Sequence, residues 1–485
     1  MLAATCVGQN PVHPNVIVFI ADDVSWNDYG CYGNPGVRTP HIDQLATDGI
    51  QFLNAYLTAS SCSPSRASII TGRYPHNTGR AAELHLPIAS NLPWFPELLR
   101  QAGYYTVLSG KNHMSVDPEV GGESRPPAFD VIDPGRAPGN SGGHARWVQH
   151  VRERPRDQPL FAWFAAYDAH RGWDADREWR SELCGPPHEP DEVIVPPFLV
   201  DDAATRRDLA SYYNEITRFD YFVGQVVEEL RRQEALEDTL IFVLADNGRP
   251  FPRAKTRLHD SGMKTALIAH WPHGIPRPAR CRSLVSVIDL APTILTAAGV
   301  QVAPTMQGVP LQPLFQDPSA SVRQFAFSEH NWHDYEAHGR AVRDGQFLYI
   351  RNARPELPWQ GPADSVRSPS HRSLLEARRR GALNAAQNDV FLAPRPREEL
   401  YVVGDDPHQI NNLVDDPRYE GDLLRMRQTL DRWIEETGDS VPERLSQDAF
   451  DRESGERLPV KGESYRGTPP GFDRQAYQIN APGPR

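Results

Sequence analysis

Uninterrupted apolar runs recur along the chain, and each gives way to polar residues at its end. Four of these runs end beside acids, amides, lysines or histidines: 16–20 before Asp22 and Asp23, 105–108 before Lys111, 160–166 before Asp168 and His170, and 240–244 before Asp246 and Asn247. Continuous apolar runs of this length are typical of strands that are buried on both faces, as in a parallel sheet covered by helices.

Helical patterns lie between these runs. The longest spans residues 203–232, where apolar positions recur every three or four residues and form one stripe. Ser286 and Asp289 precede an apolar segment with a proline in its first turn, which predicts another helix start. This alternation of strands and helices predicts an α/β fold. Ligands bind such sheets at the carboxyl ends of the strands, so the polar groups found there form the candidate site.

The pattern becomes less regular toward the C-terminus. Residues 355–397 are rich in arginine, serine and proline and have no clean period, which predicts long loops or an excursion within a second domain. The segments 399–401 and 422–436 predict a last strand followed by a helix, and the polar tail after Val441 is predicted to lie on the surface. We therefore expect a catalytic domain over 1–320 and a smaller C-terminal domain over 321–485.

Composition narrows the classes of partner. The chain has 485 residues, and its 51 lysines and arginines against 63 acids leave a net charge of −12. Nucleic-acid binding needs clustered positive charge, so we expect no nucleic-acid partner. We also expect no membrane span, because no apolar run approaches the required length of about 18 residues. Whether the chain forms a homo-oligomer stays open.

The N-terminus and the cysteines bear on the cellular compartment. Residues 1–6 contain neither the basic nor the apolar region of a secretory leader, which predicts a cytoplasmic protein, or a periplasmic one if a leader has been removed. The five cysteines are scattered, and no two have C-x-x-C spacing. This arrangement argues against a zinc knuckle or a disulfide framework.

One cysteine lies in the most informative segment of the chain. Ser63 and Pro64 are suited to the cap and first turn of a helix, and Gly72 is suited to the position just past its end. Cys62 would then lie at the positive end of a short helix, where anions are favoured, with Arg66 one turn later. A small buried cysteine is the alternative interpretation. A phosphatase-type thiolate is disfavoured, because three residues separate Cys62 from Arg66 where such a loop has five.

The run Cys62-Ser-Pro-Ser-Arg66 resembles the C-x-P-S-R signature of the type I sulfatases, in the alkaline phosphatase superfamily, and the match continues to Gly72. In that family the cysteine is oxidised after translation to formylglycine, whose hydrated form supplies the nucleophilic oxygen. The resemblance implies that a formylglycine-generating enzyme acts on Cys62. It also implies a large central, mostly parallel mixed sheet flanked by helices, and a smaller C-terminal α+β domain with an antiparallel sheet.

The resemblance also implies a metal site. Taken alone, Asp22 and Asp23 are paired acids beside a turn, and Asp246 and Asn247 begin an Asp-Asn-Gly turn. Together they offer the oxygen ligands that Ca²⁺ or Mg²⁺ prefers. The sulfatase family uses this set, joined by the formylglycine oxygen at position 62, with Ca²⁺ as its usual ion.

Further matches imply the catalytic residues. The run Gly110-Lys111-Asn-His113 resembles the G-K-x-H element of the family, in which the lysine holds a sulfate oxygen and the histidine bonds the diol. His170 corresponds to the histidine on the leaving-group side. Lys255, eight residues past Asn247, corresponds to a second basic residue over the sulfate. Surface positions for these lysines and histidines are the alternative interpretation.

Within the family, the chain resembles the heparan N-sulfatases (sulfamidases), which degrade glycosaminoglycans. The stretches that carry this resemblance are 60–68, 168–171, 193–198 with 206–210, and 246–252. The resemblance predicts a substrate contact from His76, and we also expect one from Asp168. The polar run 329–334, with its one tryptophan, fits a carbohydrate pocket, which predicts contacts from His330 and His333 and a Trp332 ring stacked on a sugar face. The expected substrate is a sulfated sugar or aryl sulfate, above all N-sulfoglucosamine.

Three alternatives accompany this hypothesis. An O-sulfatase or arylsulfatase would use the same site on a different ester. A phosphonate monoester hydrolase would use the same nucleophile on phosphorus. An inactive homologue that binds sulfated glycans would keep the pocket without turnover, although the intact set of ligands and bases speaks against it.

Overall fold

The computed structural model describes residues 13–122, 126–460 and 465–485. The strands are Asn15–Ala21 (β1), Ile50–Tyr56 (β2), Ile88–Ala89 (β3), Tyr105–Gly110 (β4), Val116–Asp117 (β5), Val131–Asp133 (β6), Leu160–Ala165 (β7), Thr239–Ala245 (β8), Lys264–His270 (β9), Ala279–Ser286 (β10), Ala326–His333 (β11), Tyr335–Arg343 (β12), Phe347–Asn352 (β13) and Glu398–Val402 (β14).

The α-helices alternate with these strands through most of the chain. They are Pro40–Asp48 (α1), Cys62–Thr71 (α2), Phe95–Gln101 (α3), Trp147–Glu153 (α4), Asp174–Glu178 (α5), Ser181–Cys184 (α6), Ala203–Arg232 (α7), Asp260–Met263 (α8), Leu290–Ala297 (α9), Gln312–Gln316 (α10), Ala363–Val366 (α11), Pro369–Arg379 (α12), Ala385–Asn388 (α13) and Glu420–Thr437 (α14).

Eight strands form the large sheet in the order β10-β2-β9-β8-β1-β7-β4-β6. Strand β9 runs antiparallel to both of its neighbours, and the other pairs are parallel. The predicted mostly parallel mixed sheet is therefore confirmed. The four apolar runs named above form β1, β4, β7 and β8, which are neighbours at the centre of this sheet.

The central strands are buried on both faces because their side chains alternate between two cores. In β1, Val16 and Val18 belong to one hydrophobic cluster, whereas Ile17 and Phe19 belong to the other. Residues of α2, α3 and α9 fill the first core, and residues of α1, α4 and α7 fill the second. Continuous apolar runs are thus required on the central strands, since neither side of the sheet faces water.

Helix α7 matches its predicted span and crosses the second face of the sheet. Asp202 caps its first turn by accepting hydrogen bonds from the backbone amides of Ala204 and Thr205. Its apolar stripe is buried against the sheet and against α1 and α4. This helix covers the middle of the sheet and leaves the carboxyl ends of β1 and β8 open for polar side chains.

The second sheet is antiparallel, in the order β11-β12-β13-β14. Helix α14 packs on it through Met426, Leu430 and Trp433, and the ring of Phe327 stacks on that of Trp433 with centroids 5.0 Å apart. The predicted last strand and final helix are present as β14 and α14. The smaller antiparallel sheet in the C-terminal region agrees with the predicted fold class.

Two parts of the C-terminal region differ from their prediction. The segment 355–397 contains α11, α12 and α13 where loops were expected, because Ser368 caps α12 and its Leu374 and Ala377 are buried. The tail after Val441 is buried in places, where Ser446 bonds Glu83 and the backbone oxygen of Ala481 accepts from Gln307. Contacts with distant parts of the chain determine both the helices of 355–397 and the burial of the tail. The local pattern of apolar residues does not reveal such contacts.

The described residues contain no helix that is both long enough and apolar enough to span a membrane. Cys31, Cys62, Cys184 and Cys281 are free thiols among the described residues. Cys6 and the N-terminal residues on which the expected compartment depends lie outside the described residues.

Candidate active site

The ends of β1 and β8 bring four oxygen-bearing side chains together. These strands are parallel neighbours, with Ala21 opposite Ala245, so the residues that follow them emerge side by side. The backbone amide of Asp23 donates to Asp246 Oδ1 at 3.1 Å, and Asn247 Nδ2 donates to Asp23 Oδ1 at 2.6 Å. The strand ends therefore converge as the sequence predicted.

Cys62 is the first residue of α2, and its thiol faces this cluster. Its Sγ lies 3.8 Å from Asp23 Oδ1, and the side chain is 3% exposed. Burial raises the pKa of the Cys62 thiol, and the nearby Lys111 and Lys255 only partly oppose that shift. The thiol is consequently held neutral beside the carboxylates.

The start of α2 differs by two residues from the prediction. Ser61, with extended backbone angles, occupies the cap position that was expected for Ser63, and Pro64 lies inside the first turn. Ser63 instead accepts a hydrogen bond from the backbone amide of His85 through its hydroxyl. Gly72 follows the last turn in the left-handed conformation, with φ of 65°, as predicted.

Arg66 joins the nucleophile helix to the acidic strand ends. Its Nε donates to Asp246 Oδ2 at 2.9 Å, and its Nη1 donates to the backbone oxygen of Lys111 at 3.0 Å. Although burial lowers the pKa of Arg66, the carboxylates of Asp246 and Asp22 raise it above its usual value. The guanidinium is thus a fixed positive charge at the floor of the site.

Two lysines complete the positive charge of the site. Nζ of Lys111 lies 2.5 Å from Asp22 Oδ2, and Nζ of Lys255 lies 2.8 Å from Asp23 Oδ2. Burial lowers the pKa of both lysines, but the facing carboxylates outweigh it and raise both pKa values. Both ammonium groups are therefore charged and held directly beside the cysteine.

The acidic cluster fits a divalent metal ion. Asp22 Oδ1 and Asn247 Oδ1 are buried oxygens that find no hydrogen-bond partner in the parts of the chain that the structure describes. Ligand atoms of Asp22, Asp23 and Cys62 all lie within 4.8 Å of one another. Unsatisfied buried oxygens are unfavourable unless something coordinates them, and carboxylate and amide oxygens suit a hard cation such as Ca²⁺ or Mg²⁺.

His113 lies beside the lysines and pairs with a second histidine. Its Nε2 lies 2.7 Å from His85 Nδ1, and the two rings are 4.7 Å apart. Burial, followed by the charges of Lys111 and His85, lowers the pKa of His113, and burial lowers that of His85 to about 4. Both rings are therefore neutral near pH 7. The sequence prediction missed His85, whose only local signal is its place in the loop that follows α2.

His170 is the most exposed member of the site, with 40% of its side chain accessible. Its Nε2 lies 3.8 Å from Asp364 Oδ2, and the same carboxylate oxygen lies 3.6 Å from Lys255 Nζ. Asp364 is the second residue of α11, and the sequence prediction missed it because residues 355–397 carry no recognisable pattern.

The two histidines of β11 are buried on one side of the site. His333 Nδ1 lies 2.7 Å from the hydroxyl of Ser61, next to Cys62. The ring of His330 packs against Trp359, and burial lowers the pKa of His330 to about 3. Each residue is 5% exposed, so their predicted contacts with substrate stay predictions.

Two predicted pocket residues lie in buried polar networks. His76 Nδ1 bonds Glu329 at 2.8 Å and its Nε2 bonds the hydroxyl of Thr437 at 2.9 Å, so both ring nitrogens are occupied. The carboxylate of Asp168 bonds Arg218 at 2.7 and 2.8 Å and is 1% exposed. Since their polar atoms are satisfied inside the protein, we expect both residues to stabilise the fold, and their predicted contacts with substrate stay predictions.

Trp332 is also placed differently from its prediction. Its ring is 3% exposed, its Nε1 donates to the backbone oxygen of Gln447, and the guanidinium of Arg466 lies 3.5 Å from the ring centroid. The C-terminal tail therefore covers the face that was expected to stack on a sugar. Trp332 packs in the same small cluster as Cys62 and supports the helix start.

Comparison with known protein families agrees with this geometry. Residues 14–300 match the sequence model of the sulfatase family, and residues 253–355 match the model of the N-sulphoglucosamine sulphohydrolase C-terminal region. The first match covers more than half of the chain and includes the nucleophile helix and the acidic strand ends.

Characterised relatives align along most of the chain. An ulvan-active sulfatase of Formosa agariphila is 31% identical, over 89% of this chain and 76% of its own length. The human N-sulphoglucosamine sulphohydrolase is 30% identical, over 88% of this chain and 90% of its own length.

A solved structure of a protein in complex with its substrate D-glucosamine-2-N,6-O-disulfate has the same fold. It superposes with a TM-score of 0.63 at 18% identity, covering 87% of this chain and 98% of that one. The family match over 14–300, the two relatives near 30% identity and the site geometry together show that the chain belongs to the sulfatase family, whose members hydrolyse sulfate esters or sulfamates with a metal ion and a formylglycine residue.

Proposed function

We propose that the protein hydrolyses a sulfate ester or sulfamate on a sulfated sugar, with N-sulfoglucosamine as the favoured substrate. One observation carries this proposal. Cys62 Sγ lies 3.8 Å from a carboxylate of the acidic cluster, at the start of a buried helix, with Arg66, Lys111 and Lys255 around it. This arrangement places three positive charges where they can bind the sulfate group of a substrate next to residue 62.

We assign residue 62 as the precursor of the nucleophile. In the unmodified chain its sulfur stands where the reactive oxygen of formylglycine would be. Once oxidised and hydrated, the residue supplies a geminal diol. One hydroxyl attacks the sulfur atom of the substrate and displaces the sugar. The other hydroxyl then loses its proton, so that the aldehyde forms again and sulfate is released. Because Cys62 is 3% exposed, we expect a formylglycine-generating enzyme to act before the chain has folded.

We assign Asp22, Asp23, Asp246 and Asn247 as the ligands of a divalent metal, with Ca²⁺ as the favoured ion. The Oδ1 atoms of Asp22 and Asn247, which accept no hydrogen bond from the described residues, support this assignment. Bound there, the ion would polarise sulfate oxygens and lower the pKa of a hydroxyl at position 62. An all-oxygen ligand set favours Ca²⁺ or Mg²⁺ over the softer transition metals.

The three buried cations hold the sulfate group. Arg66 is fixed by Asp246, and the two lysines can turn from Asp22 and Asp23 toward an incoming anion. Preorganised charge of this kind stabilises the additional negative charge of the transition state. Local convergence of cations explains how a chain with a net charge of −12 can bind an anionic substrate.

Proton transfer falls to the flanking residues. We assign His113 as the group that takes up a proton from the diol, and its ring, which burial and the charge of Lys111 keep neutral, is in the protonation state that this role requires. His170 is accessible beside the lysines and can donate a proton to the leaving oxygen or nitrogen, with Lys255 as the alternative donor. The carboxylate of Asp246, next to Asp23, can assist in activating the diol.

The match to the N-sulphoglucosamine sulphohydrolase C-terminal model supports a sulfamate substrate, as does the human relative of that name. The similarity to an ulvan-active sulfatase supports an O-sulfated polysaccharide as a second candidate. A panel of N-, 3-O- and 6-O-sulfated glucosamines decides between them, using protein coexpressed with a formylglycine-generating enzyme and supplied with Ca²⁺. We expect most rapid sulfate release from the N-sulfated sugar. Release from O-sulfated sugars alone would select the second candidate, and release from none would contradict the proposal.

A further inference from the structure

The carboxylate of Asp364 is held rigidly at the rim of the site. Its Oδ1 accepts a hydrogen bond from the backbone amide of Ser365 at 2.7 Å. The preceding residue, Ala363, donates its amide to Asp334 Oδ2 at 3.0 Å, which ties the start of α11 to the end of β11. These bonds fix the direction of Oδ2, and the side chain keeps 20% exposure.

Asp364 Oδ2 faces the groups that surround the sulfate and its leaving group. It lies 3.6 Å from Lys255 Nζ and 3.8 Å from His170 Nε2. Both distances exceed that of a hydrogen bond, so within the described residues the lone pairs of Oδ2 stay open to a ligand. The charges of Lys255, His170 and Arg171 outweigh the effect of burial and lower the pKa of Asp364, so the group is ionised.

An ionised carboxylate at this point can only accept hydrogen bonds. A sulfate bound by Lys255 brings the adjoining atoms of the sugar next to Oδ2. A hydroxyl or amine at the neighbouring ring position would donate to Oδ2, whereas a second sulfate or a carboxylate there would be repelled. The charge of Asp364 thus distinguishes a neutral or positive substituent from a negative one at the ring position next to the bond to be cleaved.

We propose that Asp364 is a specificity-determining residue that accepts a hydrogen bond from the sugar hydroxyl next to the scissile sulfate and excludes a second anionic group from that position. This inference rests on the proposed function for the class of substrate. In N-sulfoglucosamine the sulfated nitrogen is on carbon 2, so the neighbouring ring hydroxyl is that of carbon 3. The protein is then selective for sugars whose 3-hydroxyl is free.

Binding measurements test the proposal without requiring turnover. In protein carrying Cys62→Ala and supplied with Ca²⁺, calorimetry compares the Kd of N-sulfoglucosamine with that of its 3-O-sulfated counterpart. We expect the singly sulfated sugar to bind roughly 10- to 100-fold more tightly, which is the range expected for a hydrogen bond to a charged group. Adding Asp364→Asn is expected to reduce this ratio to about threefold or less.

A matched control removes the same charge elsewhere. Asp431→Asn affects an exposed acid of α14 that pairs with Arg351, and the ratio is expected to stay at the parent value. If Asp364 only holds Lys255 in place, Asp364→Asn weakens both sugars equally and leaves the ratio unchanged, which overturns the proposal. Equal affinities in the parent protein overturn it as well. Selective binding without any sulfate release by converted protein would instead contradict the proposed function and leave this inference standing.

Discussion

Arg66 Nη2 lies 2.8 Å from Asp246 Oδ2, and both side chains are fully buried. Arg66 is on the helix that begins with Cys62, and Asp246 follows a central strand of the large sheet. The pair therefore joins the nucleophile helix to the metal-binding edge of the sheet through one buried ion pair. Nε of the guanidinium donates to Asp246 Oδ2 while Nη1 donates to the backbone oxygen of Lys111, and an ammonium cannot make both contacts.

We predict that Arg66→Lys lowers kcat/KM for sulfate release by roughly 10²-fold or more, because a lysine cannot keep the positive charge fixed between Asp246 and the Lys111 backbone oxygen. The positive charge is kept, so the thermal unfolding midpoint is expected to fall by only a few degrees. The partly exposed Arg351, which pairs with Asp431, gives the control Arg351→Lys, for which neither quantity changes. Wild-type rates in Arg66→Lys would show that the guanidinium geometry is unimportant.

Removing the metal is predicted to abolish activity without unfolding the protein. Lys111 and Lys255 are already paired with Asp22 and Asp23 in the structure, so the carboxylates keep partners when no ion is bound. Dialysis against a chelator should stop sulfate release, leave the circular dichroism spectrum unchanged, and be reversed by Ca²⁺. Loss of secondary structure on chelation would show that these ion pairs are insufficient.

A variant of one ligand tests the same site. Asn247→Ala removes a buried oxygen that has no other partner among the described residues. We expect the Ca²⁺ concentration for half-maximal activity to rise by about tenfold or more. An unchanged metal requirement would mean that Asn247 does not hold the ion.

His76 is predicted to affect stability and not turnover. Its ring bonds Glu329 and Thr437, and His76→Ala would leave the buried Glu329 carboxylate without one of its partners. We expect denaturant unfolding to show a loss of roughly 2–4 kcal/mol, while kcat/KM per folded molecule stays within about twofold. His273→Ala, at an exposed histidine, is the control with little change in stability. A selective fall in kcat/KM would restore His76 to the pocket.

His371 is predicted to make the protein less stable in acid. Its side chain is buried, neither ring nitrogen has a hydrogen-bond partner in the described chain, and burial lowers its pKa to about 4. The unfolded chain takes up a proton near pH 6.5 and the folded chain does not, so this residue destabilises the fold as pH falls from 6.5 toward 4. Above pH 6.5 the ring is neutral in both states, so His371 does not change the pH dependence of stability there.

This difference in proton uptake lowers the free energy of unfolding by about 2 kcal/mol at pH 5. In His371→Leu this loss is absent, so the free energy of unfolding should fall by about 2 kcal/mol less between pH 8 and pH 5 than in the parent. Denaturant titrations at the two pH values measure the difference. Equal losses in both proteins would mean that His371 titrates normally in the folded state.

The central part of the fold and site could be predicted from the sequence because its signals are local. The runs that became β1 and β8 are apolar on both faces, and polar residues follow each of them at the edge where ligands bind. The position of Cys62 at a helix start also follows from neighbouring residues, although the cap is Ser61 and not Ser63. Local patterns determine which elements form and where their ends lie.

Residues that depend on distant partners could not be predicted in this way. The sequence around His76 does not reveal that its ring is bonded to Glu329 of β11. The sequence around Asp168 likewise does not reveal that Arg218 of α7 binds its carboxylate. Asp364 shows the opposite error, since an acid in an irregular segment became part of the site through tertiary packing alone.

The central claim is that residue 62 acts as formylglycine in sulfate hydrolysis. Coexpression with different amounts of a formylglycine-generating enzyme gives preparations with different conversion, and Cys62→Ala gives a preparation with none. The most direct measurement compares the aldehyde fraction in the peptide carrying residue 62, by mass spectrometry, with the rate of sulfate release from N-sulfoglucosamine. The account predicts that the rate is proportional to the aldehyde fraction and falls to zero at zero conversion. A rate that is independent of conversion, or that persists in Cys62→Ala, would contradict it.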